Sequence, residues 1–203
     1  MTHAVTRLFN SNTEALAAVR ELESAGIDHK RISLMANNAD DWHGRHGHDD
    51  NDTGEGAAKG ATTGGLLGGG AGLLAGLGML AIPGLGPVVA AGWLASTAAG
   101  AAAGALAGGA TGGVLGALKD AGHSDEDAHV YAEGVRRGGS LVSVKPDDAG
   151  DAARAEQILN GARGVTAAQR GDAYRSSGWS RFDETATPYD RDQVTAERDR
   201  YRV

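Results

Sequence analysis

Thirteen small residues set four apart constrain this chain more than anything else in it. Gly56, Gly60, Gly64, Gly68, Gly72 and Gly76 fall on one four-residue grid, and Gly92, Ser96, Gly100, Gly104, Gly108, Gly112 and Gly116 on a second. No charged residue lies between Lys59 and Lys119. On an α-helix, positions i and i+4 share a face. A column of glycines strips that face of side chains, so a second backbone can approach closely, as in small-xxx-small helix contacts. The run Ile82-Pro83-Gly84-Leu85-Gly86-Pro87 interrupts the segment with a turn. The grid therefore predicts two helices, about 56–82 and 88–118, folded as an antiparallel hairpin whose small residues form the helix-packing interface. A four-residue repeat exceeds the roughly 3.6 residues of a helical turn, so the stripe drifts and favours a right-handed crossing.

Each predicted arm is longer than the about 20 apolar residues that cross a bilayer. A membrane hairpin with both chain ends on the cytoplasmic side is one reading. The other is a water-soluble hairpin that packs between subunits, because Gly and Ala supply little hydrophobic driving force. Isolated Gly-rich helices are poor, at about 1 kcal/mol per Gly relative to Ala, so close packing or an apolar environment must compensate. Glu55 and Lys59 before the segment, and Lys119 and Asp120 after it, do not choose between the two.

The flanking sequence divides into further zones. Over 1–38, His3 to Phe9 alternates as a strand with Val5 and Leu8 or Phe9 inward. Asn12 or Thr13 can cap a following helix carrying Leu16, Val19, Leu22 and Ala25, Gly26 stops it, and Ile32 to Ala36 reads as a second strand. This βαβ unit predicts two parallel strands. Residues 39–55 form a polar His/Asp linker with too little apolar material to order itself. Over 120–170, Ser124 is a cap candidate for a helix opened by Asp125, Glu126 and Asp127 and closed near Arg136, Arg137 and Gly138. Ser140 to Val144 alternates as a strand, Pro146 and Asp147 open a helix carrying Ala152, Ala155, Ile158 and Leu159, and Val165 to Gln169 reads as a short last strand. Residues 171–203, dense in Arg, Asp and Glu and almost without aliphatic residues, read as a disordered mixed-charge tail with room for weak helicity near Gln193 to Arg200. Neither half has enough strands to cover its helices, so the two halves are predicted to share one sheet. The fold class is α+β: a small ferredoxin-like α/β sandwich split by an inserted Gly/Ala-rich antiparallel helical hairpin.

The formal net charge of −7 argues against a general nucleic-acid binder. The absence of cysteine excludes disulfides, thiol chemistry and Cys-based metal sites. The opening MTHAVTRLFNSNTEAL has no apolar signal-peptide core, which points to a cytoplasmic location, at the inner membrane or soluble.

Three motifs invite chemistry. His43, His46 and His48 sit among Asp40, Asp41, Asp49, Asp50 and Asp52, residue types that suit Zn²⁺, Ni²⁺ or Cu²⁺. A solvated linker supplies no rigid scaffold, so they are only weak metal candidates and no metal is assigned. Arg136-Arg137-Gly138-Gly139 could hold an anion, yet basic residues before a Gly cap also describe an ordinary helix C-terminus. The Gly-rich stretch lacks the GKS or GKT of a phosphate loop and continues for dozens of residues. No Ser/His/Asp set suggests catalysis, and no cofactor or small-molecule substrate is evident.

The opening strand–helix–strand with its AGI turn, the run AIPGLGPVVAAGWLA from Ala81, and YAEGVRRGGSLVSV from Tyr131 resemble the bacterial general stress protein 17M-like family, whose members are often labelled low-temperature-induced proteins. The resemblance covers roughly residues 3–169. An FDD-like element of such proteins stands here as Phe9-Asn10-Ser11, without its acids. The resemblance implies a stress-response setting and no catalytic residues. The expectation is a non-enzymatic stress protein whose glycine-zipper hairpin drives membrane association and self-assembly. The alternative is a soluble cytoplasmic homo-oligomeric scaffold with the zipper as subunit interface.

Overall fold

The computed structural model describes residues 3–42, 77–98 and 113–201. Its centre is one five-stranded, fully antiparallel-paired sheet in the spatial order Val5–Phe9 (β1), Ser140–Val144 (β5), Ile32–Asn37 (β2), Gly86–Gly92 (β4), Gly78–Ile82 (β3). Strands β1 (Val5–Phe9) and β2 (Ile32–Asn37) flank β5 (Ser140–Val144). Val5 faces Val144 on one side, and Leu34 faces Val142 on the other. Because both run antiparallel to β5, β1 and β2 are parallel to each other, as the βαβ reading requires. The three strands expected from the two halves of the sequence thus lie in one sheet.

Sequence alternation explains why this sheet is buried twice. Along β1, Val5 and Phe9 face one way and join Val19, Leu22, Ile32, Leu34, Val142 and Leu159. Leu8 faces the other way and joins Met35, Val88, Tyr131, Val135, Leu141 and Tyr174. Helices α1 (Asn12–Ser24) and α4 (Ala149–Gly161) cover the first face. Helices α2 (Gly113–Asp120), α3 (Asp125–Arg136) and α5 (Ala167–Ser176) cover the second. The body is therefore three-layered, and all five residues of β5 are buried.

Local signals set the ends. The hydroxyl of Ser11, rather than Asn12 or Thr13, caps α1 by accepting from the Glu14 amide at 3.2 Å. Ser124 accepts from the Asp127 amide at 3.1 Å, with Asp125, Glu126 and Asp127 in the first turn at the positive end of the dipole. Asp148 caps α4. The expected last strand is a single bridge, in which Leu8 and Val165 exchange backbone hydrogen bonds of 2.9 Å. Thr166 then starts α5 through a capping box with Gln169.

Two expectations are corrected. The segment 78–92 is not helical. It forms β3 (Gly78–Ile82) and β4 (Gly86–Gly92), a β-hairpin in which Ile82 pairs with Gly86 around Pro83-Gly84-Leu85. β4 then pairs with β2, Ala90 opposite Met35. The turn lies where the sequence put it, but its arms are strands. An unbroken apolar run carries no period to separate strand from helix, and Ile82, Val88 and Val89 favour extended backbone. Residues 93–98 are helical, and α2 begins at Gly113. Within the grid, Gly92 sits at φ +81°, turning the chain from strand to helix rather than lining a helix face. Ser96 is exposed on the 93–98 helix, and Gly116 is half-buried in α2. The other ten grid positions lie outside the described residues.

The tail is also ordered through 201 rather than disordered. Residues 171–176 complete α5, and Arg191–Arg200 forms α6, opened by a capping box between Asp190 and Gln193. Tyr174, Phe182 and Val194 are buried, and the charges find partners on the body.

Candidate functional site

The densest cluster of buried charge lies where the C-terminal segment meets the body. Helix α3 ends at Arg136, and its last turn presents Glu133, Arg136 and Arg137 to one side. Glu133 is 1 % exposed at its side chain. The Arg137 Nε–H donates to Glu133 Oε1 at 2.6 Å, and the Arg136 guanidinium reaches Glu133 Oε2 at 3.3 Å. From α6, Glu197 accepts from Arg137 at 3.1 Å and from Arg200 at 3.0 Å. Burial works against the charge on Arg137, but its hydrogen bonds to Glu133 and Glu197 more than offset this, so its pKa is raised above the ordinary arginine value.

Three rings stack on arginines of this seam. Arg137 lies 4.3 Å from the Tyr174 ring centre, Arg136 lies 4.9 Å from Tyr189, and Arg170 lies 3.9 Å from Tyr201. Arg170 also donates to Asn10 Oδ1, whose amide in turn donates to the Tyr201 carbonyl at 2.9 Å. Arg198 donates to the Gly138 carbonyl and to Asp40 Oδ2, each at 2.8 Å. A residual cavity of about 10 Å³ remains among these groups, on the scale of one water. The seam is a filled interface and leaves no room for a substrate. The pair noted in the sequence as a possible anion holder is thus occupied by the chain's own carboxylates.

A second, open cleft of about 330 Å³ is lined by Asp125, Glu126, His129, Trp179, Ser180 and Arg181. Arg181 Nε–H donates to His129 Nε2 at 3.0 Å. Burial, reinforced by the positive charge of Arg181, lowers the His129 pKa, so the imidazole is neutral near pH 7. Its acceptor nitrogen is already taken by Arg181, so this imidazole is not free to take a proton from a substrate in the cleft.

A third chain links Ser143 Oγ, Thr6 Oγ1 and His123 Nε2 at 2.7 Å per step. Ser143 and Thr6 are buried within the sheet, so no substrate can approach them. Burial also lowers the His123 pKa.

His43, His46 and His48 lie outside the described residues, and among the described residues no three His, Asp or Glu are grouped to hold a metal. No described helix is long and apolar enough to cross a membrane. Sequence reasoning found Arg136 and Arg137. It missed Glu133, although an acid three and four residues before two arginines on one helix is a legible pairing signal. It also missed Glu197, Tyr189 and Tyr201, which only the fold brings near. Comparisons with models of protein families, with characterised proteins and with solved structures find no match for this chain.

Proposed function

We propose that this is a non-enzymatic stress-response protein of the general stress protein 17M-like kind, and that its Gly/Ala segments mediate self-assembly. Its body is a ferredoxin-like unit built from β1, α1, β2, β5, α4 and the Val165 bridge, with everything between β2 and β5 as an insertion. The observation that carries the choice between spanning and assembling is the pairing of β2 with β4, Asn37 opposite Val88.

That pairing ties both ends of the first Gly-rich segment to one sheet. A chain leaving β2 must return to the same side of a bilayer before β3. The connection between Trp42 and Leu77 has 34 residues, and two crossings need about 40. Between Ala98 and Gly113 lie fourteen more, fewer than a single crossing needs. Leu94, Ala98, Val114 and Leu118, which bracket that second connection, are buried in the body's own core. The lengths favour the Gly-rich segments as contact surfaces between copies, and any lipid contact as a surface one.

Gly68→Leu and Gly104→Leu test this. Each places a branched side chain where the grid leaves only hydrogen. Overpacking a close interface costs about 1–3 kcal/mol. Sizing chromatography of the full chain is expected to show smaller assemblies for both variants. Unchanged assembly size would remove the grid as an interface, and co-flotation with vesicles that resists carbonate would restore the spanning reading.

A further inference from the structure

The buried seam has the composition of a docking site that is occupied by the chain's own end. Residues 179–201 run as a strap across α3. They press Phe182 and Val194 into the body, stack Tyr189 and Tyr201 on Arg136 and Arg170, and set Glu197 on Arg137. The strap helix α6 has one fully buried apolar side chain, Val194. Most of its hold is ionic, hydrogen-bonded or cation–π, and such contacts re-form equally well with an identical strap from elsewhere. The seam is also imperfectly satisfied: Arg136 Nε and Arg198 Nη2 are buried with no hydrogen-bond partner. Unmade bonds of buried groups carry a desolvation cost, which makes this seam an openable one.

The hinge is short and identifiable. Helix α5 ends at Ser176, and Ser176, Ser177 and Gly178 are exposed. Gly178 turns the chain at φ +87°, sending Trp179 back against Tyr174 with ring centres 5.6 Å apart. A Cβ at Gly178 would meet nothing within 4 Å. The Ser177, Gly178 and Trp179 amides donate back to the carbonyls of Tyr174, Arg175 and Tyr174, a turn that requires the positive φ at Gly178, and a residue that avoids positive φ would favour an extended path.

We infer that residues 179–201 form an exchangeable strap, and that the groove lined by Arg136, Arg137 and Arg170 binds either its own strap or the same strap from a second copy of the chain. Exchange replaces each intramolecular contact by an identical intermolecular one, which is the low-cost route to dimers. The seam contains no residue of the four-residue grid, so this interface stands independently of the assembly proposed above.

Gly178→Val in the full chain tests the inference. The expected result by light scattering is a doubling of mass relative to the parent, whatever the parent's own state, and the doubling persists in a Gly68→Leu background. Gly26→Val is the control, since Gly26 also sits at φ +87° with nothing within 4 Å of its Cβ, but in the turn after α1. It leaves the mass unchanged. Adding Glu197→Ala to Gly178→Val removes the doubling. If Gly178→Val leaves the mass unchanged, or if the doubling survives Glu197→Ala, the inference is overturned. A second measurement does not depend on how well Gly178→Val folds. A protease site is inserted at Ser177 in the full chain, the chain is cut, and a fluorescent peptide of residues 179–201 is added. The peptide is expected to bind with an affinity at least about tenfold better than its Glu197→Ala counterpart, and equal binding by the two peptides overturns the inference.

Discussion

Replacing Glu133 with alanine removes the acid on which two arginines converge. Glu133 is 1 % exposed, and the Arg137 side chain 10 %. Removing one partner of a buried pair costs about 3–5 kcal/mol, because the other charge stays behind without compensation. Here the loss is partly relieved, since Arg137 keeps Glu197 at 3.1 Å. A cost of about 2–4 kcal/mol follows. For a chain of this size, 1 kcal/mol shifts the melting temperature by about 2–4 °C, so the midpoint should fall by roughly 5–15 °C. The matched control is Glu126→Ala. Glu126 pairs with Arg175 at 2.6 Å, a shorter distance than several in the seam, yet its side chain is 72 % exposed. Exposed pairs contribute about 0–1 kcal/mol. Chemical denaturation of both variants, fitted with a common slope, measures the difference. If Glu133→Ala lies within about 0.5 kcal/mol of Glu126→Ala, well inside the exposed-pair range, then burial does not decide the strength of these pairs and the account of the seam is refuted.

Tyr131 donates to the Thr6 carbonyl at 3.0 Å and accepts from the Ala167 amide at 3.2 Å, so Tyr131→Phe should cost about 1–3 kcal/mol in denaturant titration by stranding both groups. Its phenol is pushed up to about 12, mainly by burial, and burial raises Tyr174 as well, so ultraviolet titration should find two late-ionising tyrosines in the parent and one in the variant. His123 and His129 both have folded pKa values lowered by burial. Their neutral forms therefore stabilise the fold above the unfolded value of about 6.5, and that stability is lost as pH falls through the folded values; a denaturation midpoint that rises between pH 7 and pH 5 in the wild type relative to His123→Gln would contradict this. Gly138 sits at φ +98°, and a Cβ there would strike Val194 Cγ1, so Gly138→Ala should loosen the strap and speed proteolysis at Ser177 while leaving helical circular dichroism largely intact. Met79 is 53 % exposed on the edge strand β3, so Met79→Lys should leave the melting temperature within about 1 °C, as exposed surface changes do, while reducing assembly size by sizing chromatography.

What the sequence made legible, and what it did not, follows from which signals compete. Val5 to Phe9 and Ser140 to Val144 alternate cleanly and are bounded by caps, so strand type and the shared sheet could be read without long-range information. The stretch from Gly78 to Gly92 offers no polar alternation, because β4 is buried on both faces, with Val88 and Ala90 in one core cluster and Ala91 in the other. Of its four glycines only Gly92 belongs to the grid, but the grid runs up to the stretch from both sides, and helical spacing was the period available to read across it. The tail failed for the opposite reason. Its bulk composition signals disorder, while two capping boxes, Thr166 with Gln169 and Asp190 with Gln193, mark helix starts within and beside it. Composition averages over a window, whereas Tyr174, Phe182 and Val194 each act singly by filling a gap in a surface that other elements create. Of the buried seam, Glu133 with Arg136 and Arg137 is local and could be read from one helix. Glu197 lies sixty residues further on, and nothing short of the fold pairs it with Arg137.

The position of β3 connects the body to the proposed assembly. Both faces of the central strands β5 and β2 are covered, and the outer edge of β1 is bridged by Val165. The outer edge of β3 pairs with no strand among the described residues. Edge strands in monomeric proteins are commonly protected by charges, prolines or bulges. Strand β3 reads Gly-Met-Leu-Ala-Ile, with no charge along its length. The residues immediately before it are the uncharged grid from Gly60 to Gly76, so the unprotected edge and the first Gly column are consecutive in the chain. An edge able to pair with another strand, entered by a segment able to pack closely against another backbone, concentrates the means of self-association at one end of the sheet. The strap runs over the end of α3 and reaches the hairpin at its β3–β4 turn, where Glu184 lies against Gly84 and Pro188 against Gly86, whereas the outer edge of β3 pairs along its length with no described strand. Two separate surfaces on one subunit can build assemblies larger than a dimer, because each copy then meets one neighbour through the β3 end and another through the strap.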